Sequence, residues 1–263
     1  MTVHPGLLLG ASSLAWSVKP PQGKASILFG TMHVRDERAY QFCDAWYPYI
    51  LNADVYFGEM DLSTPAPFYP SPVYSLHQHF SPAAYAKMRK QLQTSFGLDI
   101  DRYAHLHPLM ILSAVSQHLM TNDHTVSLDE HLWTFARNHH KEVRGLESVE
   151  EQLQLLHSVP VEPLYRQMMN ISRNPSKVRR FTLKTLDLYS RGEIHALYQM
   201  TKSSMHSLRR TIIYDRNRLM AKRILSLDTE WSYFISVGVG HFSGRAGILS
   251  LIRQGGWSVR PVL

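Results

Sequence analysis

The sequence predicts an α/β (α+β) fold: a mixed central sheet, formed by the N- and C-terminal segments, with a large inserted helical region. Three observations point there. Short strand-like runs gather in residues 13–60, 142–146 and 231–263. Apolar residues at helical spacing fill about 81–140 and 148–227. The 263 residues, 44% apolar and 19% charged, suffice for a sizeable core, so residues 1–263 read as a single domain, and disorder, collagen and disulfide scaffolds are excluded.

Ser13 to Val18 alternates, meets the turn-rich Lys19-Pro20-Pro21-Gln22-Gly23, and continues into the apolar Ala25 to Gly30, which reads as a β-hairpin. Asp36 caps a helix in which Tyr40, Cys43, Trp46, Tyr47, Ile50 and Leu51 recur, with Pro48 expected to kink or end it. Asp54 to Phe57 forms a third strand that ends at Gly58-Glu59, and four prolines make Ser63 to Pro72 a loop. Ser81-Pro82 opens a helix that closes near Gly97. Tyr103 to Met120 is helical, with Pro108 tolerated only near a start or a kink, and Leu128 to His139 is a further helix. Glu142 to Leu146 is a strand. Ser148 and Glu151 have the spacing of a capping box for a helix through Leu156. Four helices come next, over Val161 to Ser172, Pro175 to Tyr189, Glu193 to Thr201 and Ser207 to Leu227. Trp231 to Val239 is a strand, Ala246 to Arg253 a helix, and Trp257 to Val262 a closing strand.

The net charge of +7 suggests a nucleic-acid partner until it is located. Residues 165–225 hold 14 Lys+Arg against 3 Asp+Glu, while the rest of the chain is net acidic. A charge run on helices is usually a solvated face, aromatic interleaving is sparse, and no nucleic-acid motif occurs, so that partner is disfavoured. Cys43 is alone in the chain, which rules out a disulfide within it and a thiolate metal knuckle, and its apolar setting reads as a buried thiol. No basic n-region precedes the apolar stretch Gly6 to Leu14, and no run reaches the roughly 18 apolar residues of a membrane span. The expectation is a cytoplasmic protein. A homo-oligomer stays open, since the apolar face of Tyr103 to Met120 suits either the insertion or a partner.

One pattern occurs twice. Ile27-Leu28-Phe29 runs into Gly30-Thr31-Met32-His33, and Ser236-Val237 runs into Gly238-Val239-Gly240-His241. Each places a histidine three residues after a glycine, just off an apolar strand, at the sheet edge where α/β proteins bind ligands. Glycine there removes the side chain that would block approach of backbone or ligand, which marks Gly30, Gly238 and Gly240 as substrate-facing. Glu59 ends the third strand. With His33 and His241 it supplies two imidazoles and a carboxylate, the donor set of a catalytic metal site with an open position for water. The set suits Zn²⁺, Mn²⁺ or Co²⁺ alike. In Tyr214-Asp215-Arg216-Asn217-Arg218, an inward-turning arginine would bind a carboxylate or an oxyanion.

The pairs His77/His79, His105/His107 and His139/His140 read as structural or surface groups, and no HExxH occurs. There is no GxSxG, Walker A or GxGxxG sequence, which disfavours serine-hydrolase, nucleotide-hydrolase and nicotinamide chemistry.

These residues together resemble the TraB/GumN family, to which the Tiki metalloproteases and the pheromone-shutdown proteins are related. The resemblance is carried by Leu28-Phe29-Gly30-Thr31-Met32-His33-Val34, by Glu59, by Gly145-Leu146-Glu147-Ser148 leading to Glu151-Gln152-Leu153, and by Asp215-Arg216-Asn217 with Met220-Ala221. At the C-terminal end it is carried by Val237 to Gly244 and by Gly255 to Val259. It implies a sheet with inserted helices, similar to the haem-binding ChaN and erythromycin-esterase folds, and metal-dependent peptide cleavage resting on His33, His241 and Glu59. Two departures stand out: Asp215 where the family often has Glu, and Phe242-Ser243-Gly244 where it commonly has Leu-Pro-Gly.

The expectation is therefore a metal-dependent hydrolase acting on a peptide or protein, with a divalent metal (Mn, Co or Zn) on His33, His241 and Glu59. Arg216 would orient substrate or stabilise developing negative charge, with Asn217 beside it, and Glu147 would support a ligand or act as general base. Should the metal lie elsewhere, Glu59 and His33 would act as an acid/base pair, as carboxylate and imidazole do in metal-free esterases. The rival reading is a non-catalytic protein that sequesters a peptide or haem in the same cleft.

Overall fold

The computed structural model of the protein describes residues 13–63, 70–118, 123–202 and 208–262. The apolar stretch before residue 13, residues 64–69 of the expected loop, residues 119 and 120 and Ser207 lie outside them. Ala15–Lys19 (β1) and Ser26–Thr31 (β2) form the expected antiparallel hairpin, with Trp16 opposite Leu28. Val55–Met60 (β3), Glu142–Glu147 (β4), Tyr233–Gly238 (β5) and Ser258–Pro261 (β6) complete one sheet in the order β4-β3-β5-β2-β1-β6. The pairs β2/β5, β5/β3 and β3/β4 are parallel, and β1 pairs antiparallel with β2 and β6. The mixed sheet thus comes from both chain ends plus β4.

Parallel pairing has the consequence that matters for function: the C-terminal ends of β2, β3, β4 and β5 all open on one edge. Thr31 lies beside Gly238, and Met60 beside Glu147. Residues carried off those ends must meet.

The helices are Glu37–Tyr40 (α1), Cys43–Asn52 (α2), Leu76–His79 (α3), Pro82–Phe96 (α4), Pro108–His118 (α5), Leu128–Asn138 (α6), Val149–Ser158 (α7), Val161–Arg173 (α8), Pro175–Ser190 (α9), Ile194–Lys202 (α10), Arg216–Leu225 (α11) and Ile248–Gln254 (α12). Ser148 and Glu151 cap α7 reciprocally, as their spacing predicts. Pro108 stands at the first position of α5, where its missing N–H costs nothing.

Two expectations are corrected. The helix after Asp36 breaks at Gln41 and Phe42, whereas Pro48 stays inside α2. Asp44 and Pro48 both lie on the solvent-facing side, so water reaches the carbonyl that proline cannot bond. The second correction is in the basic segment, where Arg210–Asp215 is a π-helical turn leading into α11. Such turns insert one residue into a helix and re-aim the residues after it, here Arg216.

Apolar burial falls into two clusters. The larger surrounds the sheet, with Phe29, Tyr56, Phe234 and Phe242 nearly inaccessible. The smaller joins α3, α4, α5, α8 and the π turn through residues such as Leu92, Ile111, Leu164 and Ile213, so the apolar face of α5 is covered within the chain. Cys43 is buried, and burial pushes its thiol up to about 11. No helix among the described residues is long and apolar enough to cross a membrane.

Candidate functional site

The ends of β2, β3 and β5 open on a cavity of about 620 Å³ lined by His33, Glu59, Asp129, Gly238, Gly240 and His241, among others. The three residues expected from sequence to hold a metal therefore share one wall. Glu59 is held at both oxygens: Oε2 accepts the Gly238 N–H at 2.9 Å, and Oε1 pairs with Arg216 Nη2. A Cβ on Gly238 would lie 3.1 Å from that carboxylate, so glycine is what lets Glu59 lie on the backbone.

Arg216 also clamps Glu147, donating from Nε to Oε1 at 3.0 Å and from Nη2 to Oε2 at 2.5 Å. This Glu59–Arg216–Glu147 triad is nearly dry, with side chains 26%, 13% and 3% exposed. Burial raises the Glu59 pKa, but the Arg216 charge, His241 and the Gly238 N–H outweigh it and leave the carboxyl at about 2. Glu147 takes a further bond at 2.5 Å from Gln152 Nε2. Arg216 and Glu147 stand behind Glu59 and are not part of the cavity wall.

His241 is fixed from the other side. Its Nδ1 lies 2.5 Å from Asn217 Oδ1, and Asn217 Nδ2 donates to the carbonyls of His241 and Ala246 at 3.2 and 2.6 Å. That amide orientation puts the proton on Nδ1 and the lone pair on Nε2, which lies 3.8 Å from Glu59 Oε1 and 3.4 Å from Arg216 Nη1. Burial, reinforced by Arg216 and opposed by Glu59, pushes the imidazole down to about 4, so it is neutral at pH 7. Asn217 is thus a buried support of His241 and does not line the cavity.

His33 has a partner that sequence reasoning missed. Asp129, in the first turn of α6, lies 2.9 Å from His33 Nδ1 and accepts from the Thr31 hydroxyl. Its hydrogen bond, then its charge, hold the His33 imidazole above the ordinary value. An acid opening a helix is too common to mark Asp129 in a sequence. Gly30 sits one layer back: Tyr189 donates to its carbonyl at 2.9 Å, and a Cβ there would meet Val239 at 3.0 Å. Gly240 lines the cavity with open space where a Cβ would go.

Whether this set suits a metal ion is a question of donor chemistry. Both histidines commit Nδ1 to an acceptor, the usual arrangement for a metal-binding imidazole, and a carboxylate stands beside them, although Arg216 Nη1 lies 3.4 Å from the His241 Nε2 and a metal there would take its place. The set fits a borderline divalent cation. As the side chains stand, no three His, Cys, Asp or Glu among the described residues converge closely enough to hold one.

The model of the TraB/PrgY/gumN family matches residues 14–261. Similar curated proteins include "Metalloprotease TIKI homolog" of Nematostella vectensis, 23% identical over 185 residues (59% of this chain, 39% of that protein), and "Metalloprotease TIKI1" of Danio rerio, 22% identical over 315 residues (94% and 63%). "Metalloprotease TIKI2" of Danio rerio is 40% identical over 55 residues, 20% of this chain and 11% of that protein. The chain therefore spans less than two thirds of the length of these relatives. No solved structure shows a significant match.

Proposed function

Because the chain belongs to the TraB/PrgY/gumN family, we propose that it is a metal-dependent peptidase whose site is the strand-end cavity. The observation that carries the reading is the shared wall: two imidazoles with Nδ1 already bonded and one ionised carboxylate face the same space. The curated relatives named as metalloproteases support the reaction class.

His33, His241 and Glu59 would hold the ion, of which Mn²⁺, Co²⁺ and Zn²⁺ are the candidates. Once bound, such an ion supplies a Lewis acid that polarises a peptide carbonyl and brings the pKa of water towards neutrality. The chain's own groups do the rest. Asn217 holds the His241 ring by Nδ1 and leaves the lone pair on Nε2, and Asp129 fixes the His33 ring by its Nδ1. Arg216 holds Glu59 ionised and in place, and Glu147 with Gln152 holds Arg216. Gly240 leaves open space for an extended peptide against the wall, while Gly238 makes room for Glu59. Arg216, which does not line the cavity, is thus a positioning residue.

The test is metal analysis of the purified protein beside the His33→Ala/His241→Ala double variant, with a peptide-library assay before and after chelation. The reading predicts bound metal in the parent chain, its loss in the variant, and cleavage restored by adding back one of the three ions. Equal metal content in both proteins would overturn the ligand assignment.

A further inference from the structure

A second cavity, of about 600 Å³, shares two walls with the first. Leu197 and Thr201 of α10 face the strand-end cavity, whereas Ile194, Tyr198 and Lys202 of the same helix face this one. Likewise His241 belongs to the first cavity and residues 242–246 to the second. The two differ sharply in charge. Lys202, Arg245 and Arg253 line the second, and no Asp or Glu does. The residues outside the described ranges contain no Asp or Glu at all, so none is supplied from there.

Nor are these cations neutralised elsewhere: among the described residues Lys202, Arg245 and Arg253 form no ion pair, in contrast to the arginines at positions 38, 89, 144, 191, 216 and 223. Arg253 is partly buried over Trp16, its Cζ 5.7 Å from the ring, with only the Val259 carbonyl as acceptor at 3.3 Å. A fourth cation stands behind the wall. Arg209 is only 7% exposed, its Nε has no hydrogen-bond partner, and its Cζ lies 4.6 Å from the Tyr198 ring and 5.6 Å from the Tyr214 ring, both of which line the cavity. A buried, unpaired guanidinium such as that of Arg209 costs free energy that a nearby anion would offset, and the cations lining the cavity leave an anion there without a competing acid. The accessible part of the remaining wall is aromatic, from the half-buried Tyr198 and Tyr214, and a bare inorganic ion would leave it unused.

We propose that this cavity binds an organic anion: a carboxylate or phosphate group, received by Lys202, Arg245 and Arg253, on an apolar body of about one aromatic ring that packs against Tyr198 and Tyr214. It gives a use to part of the basic segment 165–225 that the strand-end chemistry leaves unexplained, since Lys202 and Arg209 both belong to it.

Isothermal titration calorimetry tests this with N-benzoylglycine, phenyl phosphate and the neutral N-benzoylglycinamide. The expected result is saturable binding of an anion that weakens with salt, with the amide at least about tenfold weaker. The stronger of the two anions identifies the head group. Lys202 and Arg245 are exposed, so Lys202→Gln/Arg245→Gln will fold, which circular dichroism checks, and should bind the anion at least about tenfold more weakly. The His33→Ala/His241→Ala variant should bind it unchanged, which separates this cavity from the metal reading. Equal affinity for the amide, unchanged binding by the lysine–arginine variant, loss of binding in the histidine variant, or no binding of either anion would each overturn the proposal.

Discussion

Two copies of one four-residue pattern leave neighbouring parallel strands and arrive in opposite environments. His241 is 6% exposed and pressed between Asn217, Glu59 and Arg216, while His33 is 66% exposed and tied to Asp129 alone. Their pKa values move apart accordingly, down by burial at His241 and up through the Asp129 hydrogen bond at His33. The cause lies in the path the chain takes after each motif. Beyond β5 it turns at once through Val239–His241, and Asn217 of α11 ties both ends of residues 241–246. Beyond β2 it runs on through residues 32–35 to Asp36, the cap of α1, tied by the Leu128 and His124 N–H groups to the Val34 and Arg35 carbonyls, one and two residues past His33. A strand end decides where a side chain emerges; the partner brought by a distant helix decides its chemistry.

The sharpest way to break that contrast is to cut the His241 end. Arg216→Met leaves Glu147, 3% exposed, as a buried carboxylate that keeps only its Gln152 bond, and should cost about 3–5 kcal/mol in chemical denaturation. Arg216→Lys should recover little, because an ammonium cannot span Glu59 and Glu147 as the planar fork does. A loss under about 1 kcal/mol would mean the triad is solvated after all. Next in size is Asn217→Ala, which removes the donor to two carbonyls and the acceptor of His241 Nδ1. About 3 kcal/mol is expected, with His241 freed to rotate.

The same division governs how much of the molecule is legible in the sequence. The hairpin, the strand ends, the Ser148/Glu151 cap and the pattern Gly-x-x-His are local, and they place His33, Glu59 and His241 on one edge without knowledge of the tertiary packing. Arg216 is legible only in part, because a charge run in a helix reads first as a solvated face and an inward-turning arginine as its alternative. Asp129 is not, because its role exists only once α6 packs on the ends of β2 and β3, some hundred residues away along the chain from His33. The π turn is also hidden, since Ile212 and Ile213 fit an α-helical stripe as well as they fit the turn. The second cavity's charge imbalance is invisible for the same reason: Arg253 and Lys202 are unexceptional until the fold shows that, among the described residues, no acid lines the cavity with them.

A third histidine extends the comparison into the helical cluster and gives it a pH dependence. His107 is 4% exposed, its Nδ1 accepts the Leu109 N–H at 3.2 Å at the start of α5, and its ring packs edge-on against Tyr74. Burial, with His157 nearby, pushes it down to about 4. The unfolded chain therefore takes up this proton first as pH falls. Stability from this group is complete above about pH 6.5, drains away between 6.5 and about 4, and is constant below. The loss should approach about 3 kcal/mol, and His107→Asn, which keeps an acceptor for Leu109 but does not titrate, should flatten that part of the stability–pH curve. An unchanged slope in the variant would show that His107 is not the group responsible.

The smallest effect belongs to the open end of the pair. Asp129→Asn keeps an acceptor for the Thr31 hydroxyl and removes only the charge beside an exposed imidazole, so stability should change by less than about 1 kcal/mol. Its effect on function should be out of proportion to that. With no carboxylate to fix Nδ1, the His33 ring is no longer held with Nε2 towards the cavity, and metal retention should fall by roughly 10- to 100-fold on dialysis against a graded chelator. The two readouts pull apart only if Asp129 serves the site more than the fold. Should the variant lose several kcal/mol instead, His33 and His241 would be equally embedded, and the asymmetry between the two strand ends would be lost with it.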